Sequence, residues 1–183
     1  MALLSSARNT DAAPARAVSE IERLKQRDRE AWTAVFQREH PLVFRFALAQ
    51  VGNHAVAEDI AGQVFLEAIE GIRRYHDRGR PLSAWLITIA RHRSSDWFRR
   101  RGRERVTGVE QADQVQAGPQ QSGGVALSVL AALTPEQREV VHLRFAEGYS
   151  LEEVATLTGR RVGAVKALQH RALARLRVIV EQA

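Results

Sequence analysis

Two blocks of cationic side chains are the residues of this sequence best equipped to do chemistry, and that chemistry is the binding of a polyanion. The first block holds Arg91, Arg93, Arg99, Arg100, Arg101, Arg103 and Arg105 against only Asp96 and Glu104. The second, from Val154 to Val180, holds Arg160, Arg161, Lys166, Arg171, Arg175 and Arg177 with no acidic residue. Guanidinium groups bind phosphate oxygens through a fork of N–H donors. Trp97 and Phe98 lie inside the first block. The chain as a whole is only moderately basic, with 27 Lys and Arg against 21 Asp and Glu for a net charge of +6. The clustering, more than the total, points to nucleic acid.

Other chemistries find little support. There is no Cys, which removes disulfides, thiolate metal sites and a thiol nucleophile, and agrees with a reducing cytoplasm. The six His are scattered, no acidic or His cluster has metal-ligand spacing, and no Gly-rich phosphate loop is present. The chain therefore reads as a binding protein, not an enzyme, with no cofactor and no metal. Its apolar runs are far too short to cross a bilayer. Residues 1–18 are Ala-rich without an apolar core or a clear cleavage site, the pattern of a loose tail and not of a signal peptide.

The elements that must position these cations are helices throughout; no segment alternates as a strand does. Ala57, Ile60, Ala61, Val64, Phe65, Ala68, Ile69 and Ile72 repeat at helical spacing and form one apolar stripe. Glu58, Asp59, Gln63, Glu67 and Glu70 make the opposite face acidic. Arg29 to Gly52 is helical in pattern, and Pro41 predicts a kink or a second helix start there. After a loop from Tyr75 to Pro81, a helix is expected over Ser83 to Arg101 with Trp85, Leu86, Ile89 and Ala90 inward. Gly102 to Gly124 is polar, aperiodic and rich in Gly and Gln, which marks a flexible linker.

Helical pattern resumes near Val125. Thr134-Pro-Glu-Gln137 and Ser150-Leu-Glu-Glu153 are both capping boxes. Between Leu151 and His170 the spacing is that of a helix-turn-helix. Val154 and Ala155 face inward, Gly159 supplies a positive backbone angle at the turn, and Val165 and Leu168 anchor the second helix. Arg160, Arg161, Lys166, Ala167, His170 and Arg171 then stand near the turn and on the outer side, where such a helix enters the major groove. A basic amphipathic helix by itself reads equally well as a solvated bundle face. The capped first helix and the Ala-to-Gly spacing favour DNA.

Longer motifs carry a resemblance. Ala57-Glu-Asp-Ile-Ala-Gly-Gln-Val-Phe-Leu-Glu-Ala68, Arg78-Gly-Arg-Pro81, Ala84-Trp-Leu-Ile-Thr-Ile-Ala-Arg-His92 and Asp96-Trp-Phe-Arg-Arg-Arg101 resemble, in order and distance, region 2 of the extracytoplasmic-function sigma factors of the sigma-70 superfamily. Leu133-Thr-Pro-Glu-Gln-Arg-Glu-Val-Val-His-Leu-Arg-Phe145 and Tyr149-Ser-Leu-Glu-Glu-Val-Ala155 are similar to region 4.

The resemblance implies an all-α protein of two small helical domains. Residues 1–18 would be a tail, 19–101 region 2, 102–124 the linker and 125–183 region 4, with no C-terminal sensory extension. It implies a cytoplasmic, DNA-binding transcription initiation factor whose partners are core RNA polymerase and promoter DNA. In the family, the helix bearing Glu58, Asp59, Gln63 and Phe65 binds the clamp of the largest polymerase subunit, and region 4 meets the flap of the second-largest. Arg78, Arg80, His92, Arg93, Trp97, Arg99 and Arg100 would hold the melted, single-stranded −10 element. The helix-turn-helix would read duplex −35. Family members are often held by an anti-sigma factor. The chain departs from the family pattern at Gly62-Gln63, where Gln-Glu is usual, at His92, where Asn is common, and at Ala167-Leu168-Gln169, where Ser-Arg-Leu is common. The last departure leaves Lys166, His170 and Arg171 as the direct base contacts. The rival reading is a standalone helix-turn-helix regulator, which has no need of the first half.

Overall fold

The computed structural model describes residues 19–107 and 130–181, and all regular structure among them is helical. The expected tail, most of the expected linker and the start of the second helical segment lie outside the described residues.

Side-chain caps fix the helix starts of the first half. Ser19 caps α1 (Glu20–Lys25), Asp28 caps α2 (Arg29–Val51) and Asn53 caps α3 (His54–Gly71), each accepting from backbone amides of the first turn. A 3-10 turn, Ile72–Arg74, leads to the loop and then to α4 (Leu82–Thr107). The α3 stripe is buried as its period requires: Ala57, Ala61, Val64 and Ala68 are fully enclosed against Val35, Val43 and Phe46 of α2 and Leu86, Ile87 and Ala90 of α4. The Trp32 indole donates to the Leu24 carbonyl at 3.1 Å and ties α1 to this bundle.

Two sequence expectations need correction. No second helix starts at Pro41, because α2 runs through it as one helix. Pro41 and Gln37 are both exposed, so water can reach the carbonyl that loses its amide donor. Trp32 and Val35 before Pro41 and Leu42, Val43 and Phe46 after it are buried in the same core. The α4 helix continues to Thr107, six residues past Arg101, so the segment beginning at Gly102 starts as helix.

In the second half, α5 (Pro135–Val141) begins at the Thr134 capping box and widens into a π-helical turn, His142–Ala146. The Ser150 capping box starts α6 (Leu151–Thr158), and Gly159 ends it at φ +69°, the left-handed turn expected there. The long α7 (Val162–Glu181) follows. Val154, Ala155, Leu157 and Val165 are buried, and a smaller cluster of Leu133, Val141 and Ala172 seats α7 on α5.

The halves share one continuous core, in which Val140, Leu143, Val154 and Val165 join the residues of α2, α3 and α4. His142 lies at this seam, its ring edge-on to Phe46 with centroids 6.4 Å apart. Its Nε2 is 3.3 Å from Glu147 Oε1 without hydrogen-bond geometry. The Arg45 guanidinium donates to both Glu147 oxygens, at 2.7 and 2.6 Å.

Burial pushes the His142 imidazole below its ordinary value, against the opposing pull of Glu147. The hydrogen bond from Arg45 holds Glu147 below the usual carboxylate range. An imidazole depressed in the folded state binds fewer protons than the unfolded chain at mildly acid pH. Its cost to stability is therefore absent well above the unfolded value, about 6.5, and grows as pH falls through it. Loss of the Glu147 contribution adds the same sign at lower pH. In urea titrations from pH 7 to pH 5, the wild-type midpoint should fall and H142Q should flatten that slope. An equal slope in H142Q would place the titration elsewhere.

Candidate nucleic-acid interface

The loop Tyr75–Pro81 is shaped by its own polar groups. The Asp77 carboxylate accepts from the Gly79 amide at 2.8 Å, and Gly79 takes φ +72°. This turn holds Arg78 and Arg80 outward, beside the first turns of α4. Tyr75 leans on Trp85 with ring centroids 4.8 Å apart. Gly71 lies beside that indole, and a Cβ there would stand 3.4 Å from the Trp85 ring, in ordinary van der Waals contact. Trp85, expected inward with Leu86 and Ile89, is only half-buried and walls two adjoining clefts of about 270 and 280 Å³. Glu67, Glu70, Arg74 and Ile89 complete the first cleft, and Arg74, His76, Arg78, Arg80 and Thr88 the second. The second joins an aromatic step to a rim of cations, a combination that suits a base and its phosphate. Burial raises the Tyr75 pKa above its ordinary value, so its hydroxyl stays a donor at neutral pH.

Farther along α4, Trp97 and Phe98 meet at 73° with centroids 4.9 Å apart, and the Arg101 guanidinium lies 5.1 Å from the Trp97 ring centre. Phe98 is 39% exposed. His92 and Arg100 are exposed and have no side-chain partner among the described residues. Arg93 is instead paired to Glu67 of α3 at 2.6 Å, and Arg99 to Asp96. The region 2 residues named from sequence thus share one side of α4 and its preceding loop, but two of their cations are already neutralised.

Arg161, just before α7, and Lys166, Ala167, His170 and Arg171 on it are all exposed, and the cationic ones carry no side-chain partner among the described residues. Val165 beneath them is fully buried, which fixes the helix face. The remaining cations of the second block are bound within the fold. Arg175 donates to the Ala132 carbonyl at 2.6 Å and Arg177 pairs with Glu181 at 2.7 Å. Arg144 occupies the Gln169 amide oxygen at 3.2 Å. Arg160 departs from its expected place. It is half-buried, donates to Glu139 Oε2 at 3.2 Å, and its Nε has no partner.

Glu139 is 1% exposed and also accepts from Arg91 of α4, at 2.9 Å from Nε and 2.6 Å from Nη2. Arg80 reaches across to donate to the Thr156 carbonyl at the end of α6. Neither the Glu139 node nor the Tyr75–Trp85 step was named from sequence. The basic block containing Arg91 and the Tyr75 loop were the only signals for them.

The acidic face of α3 is largely as expected. Glu58, Asp59 and Gln63 are exposed, with Gly62 leaving open space between them. Phe65 requires correction as a surface contact: it is 4% exposed and covered by Phe36 at 4.8 Å. Phe36 and Leu66, at 44% and 56% exposure, are the apolar side chains that reach solvent there. No group of side chains among the described residues could hold a metal ion, and no described helix is long and apolar enough to cross a membrane.

Comparison with known proteins agrees with this arrangement of two helical regions. Residues 35–104 match the family model of sigma-70 region 2, and residues 129–178 that of sigma-70 region 4. The ECF RNA polymerase sigma factor SigD of Mycobacterium bovis is 39% identical, covering 82% of this chain and 77% of its own. The ECF RNA polymerase sigma factor BldN of Streptomyces coelicolor is 34% identical over 89% of this chain, which spans 65% of that protein. Among solved structures, the sigma factor RpoE of Bartonella quintana, in complex with the anti-sigma factor NepR, superposes with a TM-score of 0.68 at 27% identity. That likeness covers 83% of this chain and 98% of the other. With both regions matched in order, the chain belongs to the extracytoplasmic-function (ECF) RNA polymerase sigma factors of the sigma-70 family.

Proposed function

We propose that this sigma factor reads its promoter in two chemically different ways, one in each region. The carrying observation is that exposed cations cluster at the start and on the outer face of the recognition helix and around an aromatic cleft, where only Arg80 is engaged, by the Thr156 carbonyl. In region 4, Arg161, Lys166, Ala167, His170 and Arg171 enter the major groove of duplex −35 DNA, with Arg160 joining them only after it leaves Glu139. In region 2, the −10 strand is held unpaired. One base stacks at the Tyr75–Trp85 step while Arg74, Arg78 and Arg80 bind its phosphates, and His92, Trp97 and Arg100 continue the track along α4. Arg93 and Arg99 act through their ion pairs, orienting the track.

The exposed Glu58, Asp59 and Gln63, flanked by Phe36 and Leu66, form the face offered to the clamp of the largest polymerase subunit. Region 4 meets the flap of the second-largest. The protein works in the cytoplasm and makes no phosphodiester bond itself. It binds core RNA polymerase, directs it to promoters and supports strand opening, and the catalytic chemistry is the polymerase's. An anti-sigma factor is a further partner, as NepR is for the relative RpoE.

Genomic run-off transcription with purified core polymerase and this chain should yield discrete start sites absent with core alone. A template-wide absence of such starts would overturn the reading. On one of those promoters, K166A or R171A should lose −35 discrimination. A lost base contact is worth about 1–3 kcal/mol, roughly a 5- to 150-fold drop in affinity for the −35 duplex in the holoenzyme. Tyr75→Leu and Trp97→Ala should slow strand opening by about 5- to 150-fold, the worth of one base stack. Closed-complex affinity should stay within about twofold. Equal losses in both steps would place these rings in the core and not against DNA.

A further inference from the structure

The acidic face of α3 divides along its length. Glu58, Asp59 and Gln63 stand in its first half, whereas Glu67 and Glu70 lie near its end and line the first of the two clefts beside Trp85. The two clefts share Arg74, Tyr75 and Trp85 but differ in charge. The second is lined by Arg74, His76, Arg78 and Arg80, with no carboxylate among its described lining residues. The first sets Glu67 and Glu70 against Arg74, with Gly71 and Ile89 as its apolar wall. A DNA strand crossing the Tyr75–Trp85 step therefore meets a place for phosphates on one side and a place that repels them on the other. Only the uncharged part of a nucleotide, its base, suits the first cleft.

The two carboxylates differ in what they have left to offer. Glu67 Oε2 accepts from both Nε and Nη2 of Arg93, at 2.8 and 2.6 Å, which fixes that side chain against α4. Glu70, three residues on and so on the same side of the helix, is exposed and has no hydrogen bond or ion pair among the described residues. An ionised carboxylate only accepts hydrogen bonds. Adenine, cytosine and guanine each carry an exocyclic amino group that donates. Thymine carries none and presents carbonyl oxygen and a methyl group instead. A carbonyl set against a carboxylate leaves both without a donor, and a site built on a hydrogen bond rejects the analogue that lacks it.

We propose that Glu70 is a specificity-determining residue: it accepts a hydrogen bond from the exocyclic amino group of the base seated against Trp85, and so turns the first cleft against thymine. The assignment rests on the stacking of an unpaired −10 base at the Tyr75–Trp85 step. It adds what that stack cannot supply, since every base has a π-face and stacking alone is tolerant of sequence. Glu67, held by Arg93, fixes the wall beside the base, and Arg74, common to both clefts, holds the phosphate of the same nucleotide.

The test uses holoenzyme assembled from core polymerase and the full chain, with single strands built of one base, so that no promoter need be known. Wild-type holoenzyme should bind oligo-dC about 5- to 150-fold more tightly than oligo-dT, the worth of one contact to a base edge. Oligo-dU, which lacks the thymine methyl, should bind as weakly as oligo-dT. E70Q, whose amide donates as well as accepts, should bring oligo-dC and oligo-dT within about twofold of each other, chiefly by tightening oligo-dT. Tyr75→Leu should weaken both strands by about 5- to 150-fold, the worth of the stack.

Equal binding of the two strands by wild type, a preference that persists in E70Q, or oligo-dU binding as tightly as oligo-dC would overturn the role of Glu70. So would a loss of affinity for core polymerase in E70Q with the base preference intact, which would move Glu70 to the clamp-facing part of α3. The stack is judged separately. If Tyr75→Leu weakened neither strand, the seating of the base would fall. If it weakened both while E70Q left the preference untouched, the stack would stand and Glu70 alone would lose its part.

Discussion

One buried carboxylate organises the way the two regions of this molecule meet. Glu139 is enclosed almost completely and receives Arg91 from one region and Arg160 from the other. A carboxylate in such a place is stable only with its donors present, because an unpaired buried charge is strongly disfavoured. Its position dictates much else: where α4 must lie against α6, why the Thr156 and Thr158 carbonyls face arginines instead of water, and why the turn after α6 abuts the Tyr75–Pro81 loop. The apolar seam of Phe46, Val140, Leu143 and Val154 supplies the area of contact. The charged node supplies its register.

The same logic sorts the cations. Arginine serves two masters in this fold, internal carbonyls and carboxylates on one side and polyanion on the other, and the count of Arg does not say which. Arg138 illustrates the first role. It donates to the carbonyls of Leu130, Leu133 and Gln50 and is itself pushed below its ordinary pKa by burial. Lys166 and Arg171 are the residues proposed for the second, standing exposed over a fully buried Val165. A basic block in sequence is therefore a mixture, and the structure divides it by partner and not by position.

That division marks the limit of what could be read from sequence. Local signals were legible because their causes are local. The capping boxes at Thr134 and Ser150 and the left-handed Gly159 depend on residues three or four apart, and the α3 stripe depends on a period. Region identity was legible because motifs kept their order. The Tyr75–Trp85 step was not, because Trp85 falls on the apolar arc of α4 and its ring partner comes from the loop before that helix. Glu139 was not, because in sequence it is one acidic residue of a capped helix, and its meaning comes from arginines 48 residues before and 21 after it. Pro41 misled for the opposite reason. A local rule was overruled by burial on both sides and by solvent at the weakened carbonyl.

The capping and packing that join α5 to α7 also keep Glu139 and Arg160 on a single region, so half of the node travels with the recognition helix wherever it goes. Arg91 alone comes from α4, so the carboxylate and one of its two arginines form a unit that one donor from outside completes.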